Sequence, residues 1–449
     1  MTYTVDGLTQ QKAIERQFPD STPAPIDVEL TDRAVIKVRA DTLGATTMEE
    51  KLTSIFETGP NRRITSLDGA GAVSGRYTAP DGWSIVDFAR HPSGETTVIL
   101  ATAKTVKLTR LDRFAAPVSE FALTDPQAPS DPFYDSGGLH DDTSMVPIYT
   151  RDAARLAPIG ESVAVALRTG RNAVVAYRFD YVTSTGYTRT WRTLVEPGLT
   201  MFALGIFTGS YDVFGALENH WHVLLDADAA GNIAVAVVDR PGITDIFAAH
   251  ADFFAQPISA AAGILVTRLS SDGQRLGSTP IETLRPSEAH ALRMNGDDIA
   301  VVGRVFSEQR ADGGGWNAYA AHVSRASGAL SSYRLVDVEL GEILFDIAPL
   351  PEGRFLAAGS AGYTQNPNGG SVEEQARPLL AVLESDGTVR QLIGLPAGPR
   401  QNQLRSLATH GHDWLVGGMA NGPGTHSGDG NPALISAEGF VREIGLTIP

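Results

Sequence analysis

The 449-residue chain contains no cysteine. That excludes disulfide frameworks, zinc-thiolate and iron–sulfur centres, and thiol nucleophiles. Basic residues are also scarce: 36 Lys and Arg stand against 52 Asp and Glu, for a net charge of -16. No basic run occurs anywhere, so the clustered cations that a nucleic-acid partner requires are missing. No apolar stretch approaches the roughly 20 residues of a transmembrane helix. The opening MTYTVDG lacks the basic and apolar regions of a signal peptide, so neither a transmembrane segment nor a leader is expected. Helical periodicity is almost absent. So are Gly-x-Ser-x-Gly, His-Glu-x-x-His and a phosphate-binding glycine loop, which leaves no local motif for catalysis.

What the chain does have is 46 glycines, 26 prolines and 42% hydrophobic residues, a composition of many short apolar strands and many turns. An apolar hairpin recurs seven times, its second run ending at Val38, Ala101, Leu167, Val237, Gly303, Gly359 and Gly417. The spacing is roughly 63 residues, a period that fits the chain seven times. Between the hairpins recurs a second unit, an apolar strand entering a tight turn and a further strand, as in RITSLDGAGAVSGRY from Arg63 and LLAVLESDGTVRQLIGL from Leu379. Glycine in these turns accepts the positive φ they need.

Four strands per repeat and seven repeats predict an all-β, seven-bladed β-propeller with four-stranded antiparallel blades. Residues 1–25 read as an N-terminal extension and 26–449 as a single propeller domain. In this reading 26–30 and 34–38 are the second and third strands of the first blade, and its fourth follows Arg63. A C-terminal strand at 441–448 becomes the innermost strand of that blade, closing the ring by pairing the two ends of the chain.

With the turns LDGAG, SSDG and ESDG, residues 26 to 448 resemble bacterial propeller repeat proteins whose blades run from an apolar strand ending in Gly, through a variable loop, to a strand ending in Asp-Gly. The resemblance implies the fold and an extracytoplasmic location in the periplasm, at the cell surface or secreted. It implies no activity. WD40 Trp-Asp pairs and a kelch-like Gly-Gly period are absent, and Ser184 to Trp191 lacks the Asp of a sialidase Asp-box. The repeated docking motif of quinoproteins is missing too, so pyrroloquinoline quinone is not expected.

The functional lead is loop length. Insertions fall at 39–62, 125–153, 196–220, 239–263, 304–318, 360–378 and 418–432, two connection types that emerge on the same face of an up-and-down blade. A binding surface is expected there, near the central channel. Its candidate residues are Asp131, Tyr134, Asp135, His140, Asp141 and Asp142 in the 125–153 insertion, Tyr211, and the histidines His220, His222 and His290 at strand entries. Asp135, Asp141 and Asp142 are candidate calcium ligands, although the spacing matches no fixed calcium loop and a solvated loop fits better. Asp226 to Asn232 looks like a calcium-loop fragment but is better explained as a turn. His220 and His222, two apart on a strand, are expected to share a face near His290, where a transition-metal or acid/base cluster is one reading, although a structural or surface role fits these histidines better. His410 and His412 flank a hairpin turn. No cofactor other than possible calcium is expected. The function predicted is non-catalytic binding or scaffolding of a protein or glycan partner; the alternative is a carbohydrate-active hydrolase or lyase with Asp and His drawn from several blades.

Overall fold

The structure is a computed structural model that describes residues 2–5, 8–11, 27–31, 33–51, 62–102, 105–123, 154–168, 174–196, 220–239, 263–282, 287–307, 315–336, 341–362, 364–365, 371–372, 377–394, 401–411, 413–422 and 438–446. The described residues form seven four-stranded antiparallel sheets and two small two-stranded ones. In chain order their first strands are Arg33–Asp41, Ser84–Arg90, Ala154–Ile159, His220–Ala227, Ser287–Asn295, Glu342–Pro349 and Gln401–His410. Each of these contacts the next, and the seventh contacts the first, so they form a closed ring around a channel. This is a seven-bladed β-propeller.

Burial explains why each run becomes the strand it does. In the second blade Thr96–Ala101 is buried along its whole length, with a sheet neighbour on each side and a blade packed on each face. Pro117–Ala122, the fourth strand of that blade, alternates exposed and half-buried residues because its outer edge faces water. One apolar cluster fills each blade junction: Ile64, Ile85 and Phe88 join the first and second blades, and Val35, Val38, Leu415 and Val441 join the seventh to the first. Apolar area buried between blades, and not within them, is therefore what holds the ring together.

The repeat is as expected, but its phase is not. The recurring hairpin supplies the first and second strands of a blade, where the sequence placed the second and third. Asp27–Thr31 and Arg33–Asp41 belong to different blades: the former pairs with Glu438–Ile444 as the outermost strand of the seventh blade, and the latter is the innermost strand of the first. The C-terminal strand is accordingly the third strand of the seventh blade, and not the innermost of the first. Both chain ends do share one sheet. The supposed insertion at 39–62 also contains a strand, Gly44–Lys51, which is the second of the first blade. Period fixes the number of blades; only the exposure of the outer strand fixes where each one starts. Within the proposed N-terminal extension, Thr2–Val5 and Leu8–Gln11 form a separate two-stranded sheet.

Because Asp27–Thr31 carries five ladder positions on Glu438–Ile444, removing residues 1–31 should leave that strand as an open edge. A loss of roughly 2–5 kcal/mol is expected from the abandoned hydrogen bonds, with concentration-dependent association through the exposed edge. Denaturant unfolding and light scattering would check this; unchanged stability in a monodisperse variant would show that closure lies elsewhere.

Candidate functional site: the central channel

A β-ladder binds a strand on both edges, but the inner edge of each first strand faces the channel and has no ladder partner. The backbone groups there need other acceptors. Asp87 Oδ2 of the second blade accepts the Leu156 N–H of the third at 2.8 Å, and Asp226 Oδ2 of the fourth accepts the Met294 N–H of the fifth at 2.8 Å. Asp346 Oδ2 of the sixth accepts the Leu407 N–H of the seventh at 3.2 Å, and Ser406 Oγ of the seventh accepts the Val38 N–H of the first at 3.0 Å. Side chains thus stitch neighbouring inner strands together.

Cations gather around these carboxylates. Lys37 Nζ lies 2.6 Å from Asp87 Oδ1 and donates to the Phe88 carbonyl at 2.7 Å. Asp346 is shared: Arg293 Nη2 is 3.1 Å from Oδ1 and Arg39 Nη1 is 3.1 Å from Oδ2, while Ser406 Oγ donates to Oδ2 at 2.6 Å. One carboxylate therefore ties the fifth, sixth, seventh and first blades together. Arg62 donates to the Ile85 and Val86 carbonyls and pairs with Glu50 at 3.2 Å, and Arg90 binds Asp41 through two contacts of 2.8 and 3.0 Å.

The electrostatics follow. Burial, together with repulsion from Arg39 and Arg155, pushes Lys37 down to about 8 even though Asp87 stands beside it. For Asp87, burial alone would raise the carboxyl, but Lys37 and Arg155 hold it below its ordinary range. Asp226 has hydrogen bonds but no ion pair of this kind, and burial pushes it up to about 7.

Six of the seven inner strands carry a β-bulge near their entry, with Ile36, Val86, Trp221, His290, Phe345 and Arg405 as the extra residues. In the last three blades these residues form a cluster: the His290 ring lies 5.3 Å from that of Phe345 at a tilt of 50°, and the Arg405 guanidinium sits 4.3 Å over the same ring. The bulge pushes the inner strand against the second strand. A Cβ on Gly303, Gly359 or Gly418 would stand 1.8 to 1.9 Å from the carbonyl oxygens of Glu288, Ile343 and Gln403 respectively. This packing explains the glycine that ends the repeated hairpin, and it shows Gly418, not Gly417, to be the equivalent of the other two. Together these walls line a half-open cavity of about 570 Å³.

Among the residues singled out from sequence, His290 lies in this channel wall, 3.3 Å from Glu288. Burial would raise the Glu288 carboxyl, but hydrogen bonds from His290 and Arg304 hold it far below its usual range. His220 pairs with Asp239 and His222 with Val238, with Trp221 as the extra residue between them. They occupy successive rungs of the ladder. The position equivalent to His290 is Trp221, not a histidine. Asp131, Tyr134, Asp135, His140, Asp141, Asp142 and Tyr211 lie outside the described residues, and so does the calcium proposal made for three of them. Among the described residues, no group of three or more His, Asp or Glu is arranged to hold a metal. Asp228 caps its turn, accepting the Asn232 N–H at 2.8 Å, and Gly231 has φ +87°, so this segment is a turn. His410 sits 3.0 Å from Glu443 at a hairpin end.

Sequence reasoning missed Lys37, Asp87, Asp346, Phe345 and Arg405. A signal was present for the last two: His290, Phe345 and Arg405 stand at nearly the same distance before Gly303, Gly359 and Gly418.

No protein family and no curated protein matches the sequence. Solved structures of similar architecture include a protein of unknown function from Bacteroides caccae, 13% identical, with 75% of this chain and 91% of that one covered and a TM-score of 0.36. The RRP9 WD40 repeats are 10% identical over 96% of this chain and 100% of theirs, TM-score 0.48, and the Dos1 propeller is 9% identical over 95% and 96%, TM-score 0.46. Similarity at this level carries no argument about activity. The class, a seven-bladed propeller, rests on the sheets themselves.

Two outcomes follow from the channel geometry. Because the folded state holds the Asp226 proton to higher pH than the unfolded chain does, stability is lost as pH rises from about 4 to about 7. Asp226→Asn keeps an acceptor for Met294, so its unfolding curve should match wild type below pH 4 and exceed it above pH 7, by about 1–2 kcal/mol after allowance for partial exposure; a gap independent of pH would sink the idea. Gly303→Ala drives a methyl into the Glu288 carbonyl and should cost about 1–3 kcal/mol, read as a lower Tm; a neutral effect would mean the bulge relaxes freely.

Proposed function

We propose that this chain is a binding or scaffolding propeller that engages a protein or glycan partner through one face. The carrying observation is the uneven length of its connections. Successive strands run antiparallel, so the links from second to third strand and from each fourth strand to the next blade emerge together. The long links Ala122 to Ala154, Glu196 to His220, Asp239 to Gly263 and Gly422 to Glu438 are all of these two kinds. The inner strands start at that same face, so the bulge residues His290, Phe345 and Arg405 lie at the mouth of the channel beneath it. Residues held by a rigid scaffold at a loop-rich rim are where binding sites concentrate.

Binding is favoured over hydrolysis because the channel carboxylates have structural work. Asp87, Asp226 and Asp346 each accept a backbone N–H from the next blade. An extracytoplasmic location, and membership of the Asp-Gly group of bacterial propeller proteins, form part of the proposal and rest on the resemblance of the repeats. Calcium at Asp135, Asp141 and Asp142 would belong to the same face.

The experiment is a pull-down and glycan-array comparison of wild type with a variant in which residues 125–153 are replaced by a short Gly-Ser link. Loss of a partner with the melting curve unchanged is the expected result. Binding that survives the replacement would remove that loop from the surface.

A further inference from the structure

The net charge of the chain is -16, yet basic side chains outnumber carboxylates in the lining of its central cavity. Two carboxylates are each shared by two cations. Asp346 lies between Arg39 and Arg293, and Asp87 lies in the field of both Lys37 and Arg155. Arg405 stands at the mouth, held over the Phe345 ring at 4.3 Å. From this geometry we propose that the channel binds a small, multiply charged oxyanion, an organic molecule with two or more carboxylate or phosphate groups, with Arg155 and Arg405 as its principal contacts.

Four observations support the proposal independently of the long loops. The volume, about 570 Å³, is that of a small-molecule pocket. Guanidinium groups are planar, permanently charged forks that match carboxylate and phosphate geometry, and here they come from several blades, so they converge on one space instead of covering one surface. Low-dielectric walls focus the field of such a cluster inside the channel, where counterions screen it less than they screen the acidic exterior. The depressed Lys37 ammonium and the elevated Asp226 carboxyl respond to the same enclosure: the first is repelled by Arg39 and Arg155, and the second is close enough to neutral at physiological pH to donate a hydrogen bond to an anion.

The inference goes beyond the proposed partner-binding face, because it concerns a small ligand held by the blades themselves. It is tested by isothermal titration of the full chain, at low ionic strength and pH 7, with citrate and with inorganic pyrophosphate as separate probes. One saturable site per chain for either anion is expected, and which of the two binds distinguishes carboxylate from phosphate chemistry. Arg155→Gln combined with Arg405→Gln should weaken binding by at least about tenfold. Should that double variant fail to fold, Ile36→Glu, which places a negative charge on the channel wall without removing a cation, should produce the same loss. Heats indistinguishable from dilution for both anions would overturn the proposal, and so would an affinity unchanged in a folded variant. The loop replacement at 125–153 leaves every proposed contact in place, so failure of partner binding and failure of anion binding are separate results.

Discussion

The inner edge of every blade is a strand edge without a ladder, and most of the particular chemistry of this molecule answers that constraint. A propeller removes exposed strand edges around its circumference by closing the ring, but it creates seven more around the axis. Here Asp87, Asp226, Asp346 and Ser406 reach across to the next blade and accept its N–H groups. Three of the four acceptors are carboxylates, and carboxylates in a narrow channel need cations. Lys37, Arg39, Arg155 and Arg293 are therefore consequences of the same edge problem, even though they also give the channel its basic character. The structural requirement and the proposed anion site draw on one set of residues.

The same coupling appears in the bulges. An extra residue in the inner strand turns one side chain towards the axis and drives the backbone into its neighbour. In the fifth, sixth and seventh blades the second strand yields by carrying glycine, with the carbonyls of Glu288, Ile343 and Gln403 in the space a Cβ would take. Those are also the blades whose bulged residues meet, with His290 and Arg405 both against the Phe345 ring. In the first and second blades the bulged residues are the aliphatic Ile36 and Val86, and no glycine faces them.

Much of the fold was legible because its signals are local and repeated. Apolar runs, Asp-Gly turns and a period near 63 residues pointed to seven four-stranded blades. Asp68, Asp112, Asp228 and Asp386 cap tight turns with their own side chains, a role the glycine argument did not include. The phase error had a visible remedy: VSEFA, with its polar alternation, reads as an outer strand, whereas TTVILA reads as an inner one. The backbone around the two histidines was less legible. His220 and His222 are two apart in sequence, but a bulge at Trp221 inserts a residue that no alternation rule anticipates.

By itself the sequence determined the number of blades, the net negative charge and the pairing of the two chain ends, since each is carried by composition or by a repeated local pattern. Only the tertiary structure decided which residues face the axis. Lys37, Asp87, Asp226, Asp346 and Arg405 are scattered over most of the chain and share no motif. They meet because the ring brings one strand from every blade to the same axis, and the near-constant distance of His290, Phe345 and Arg405 before a glycine is the trace that this convergence leaves among the described residues.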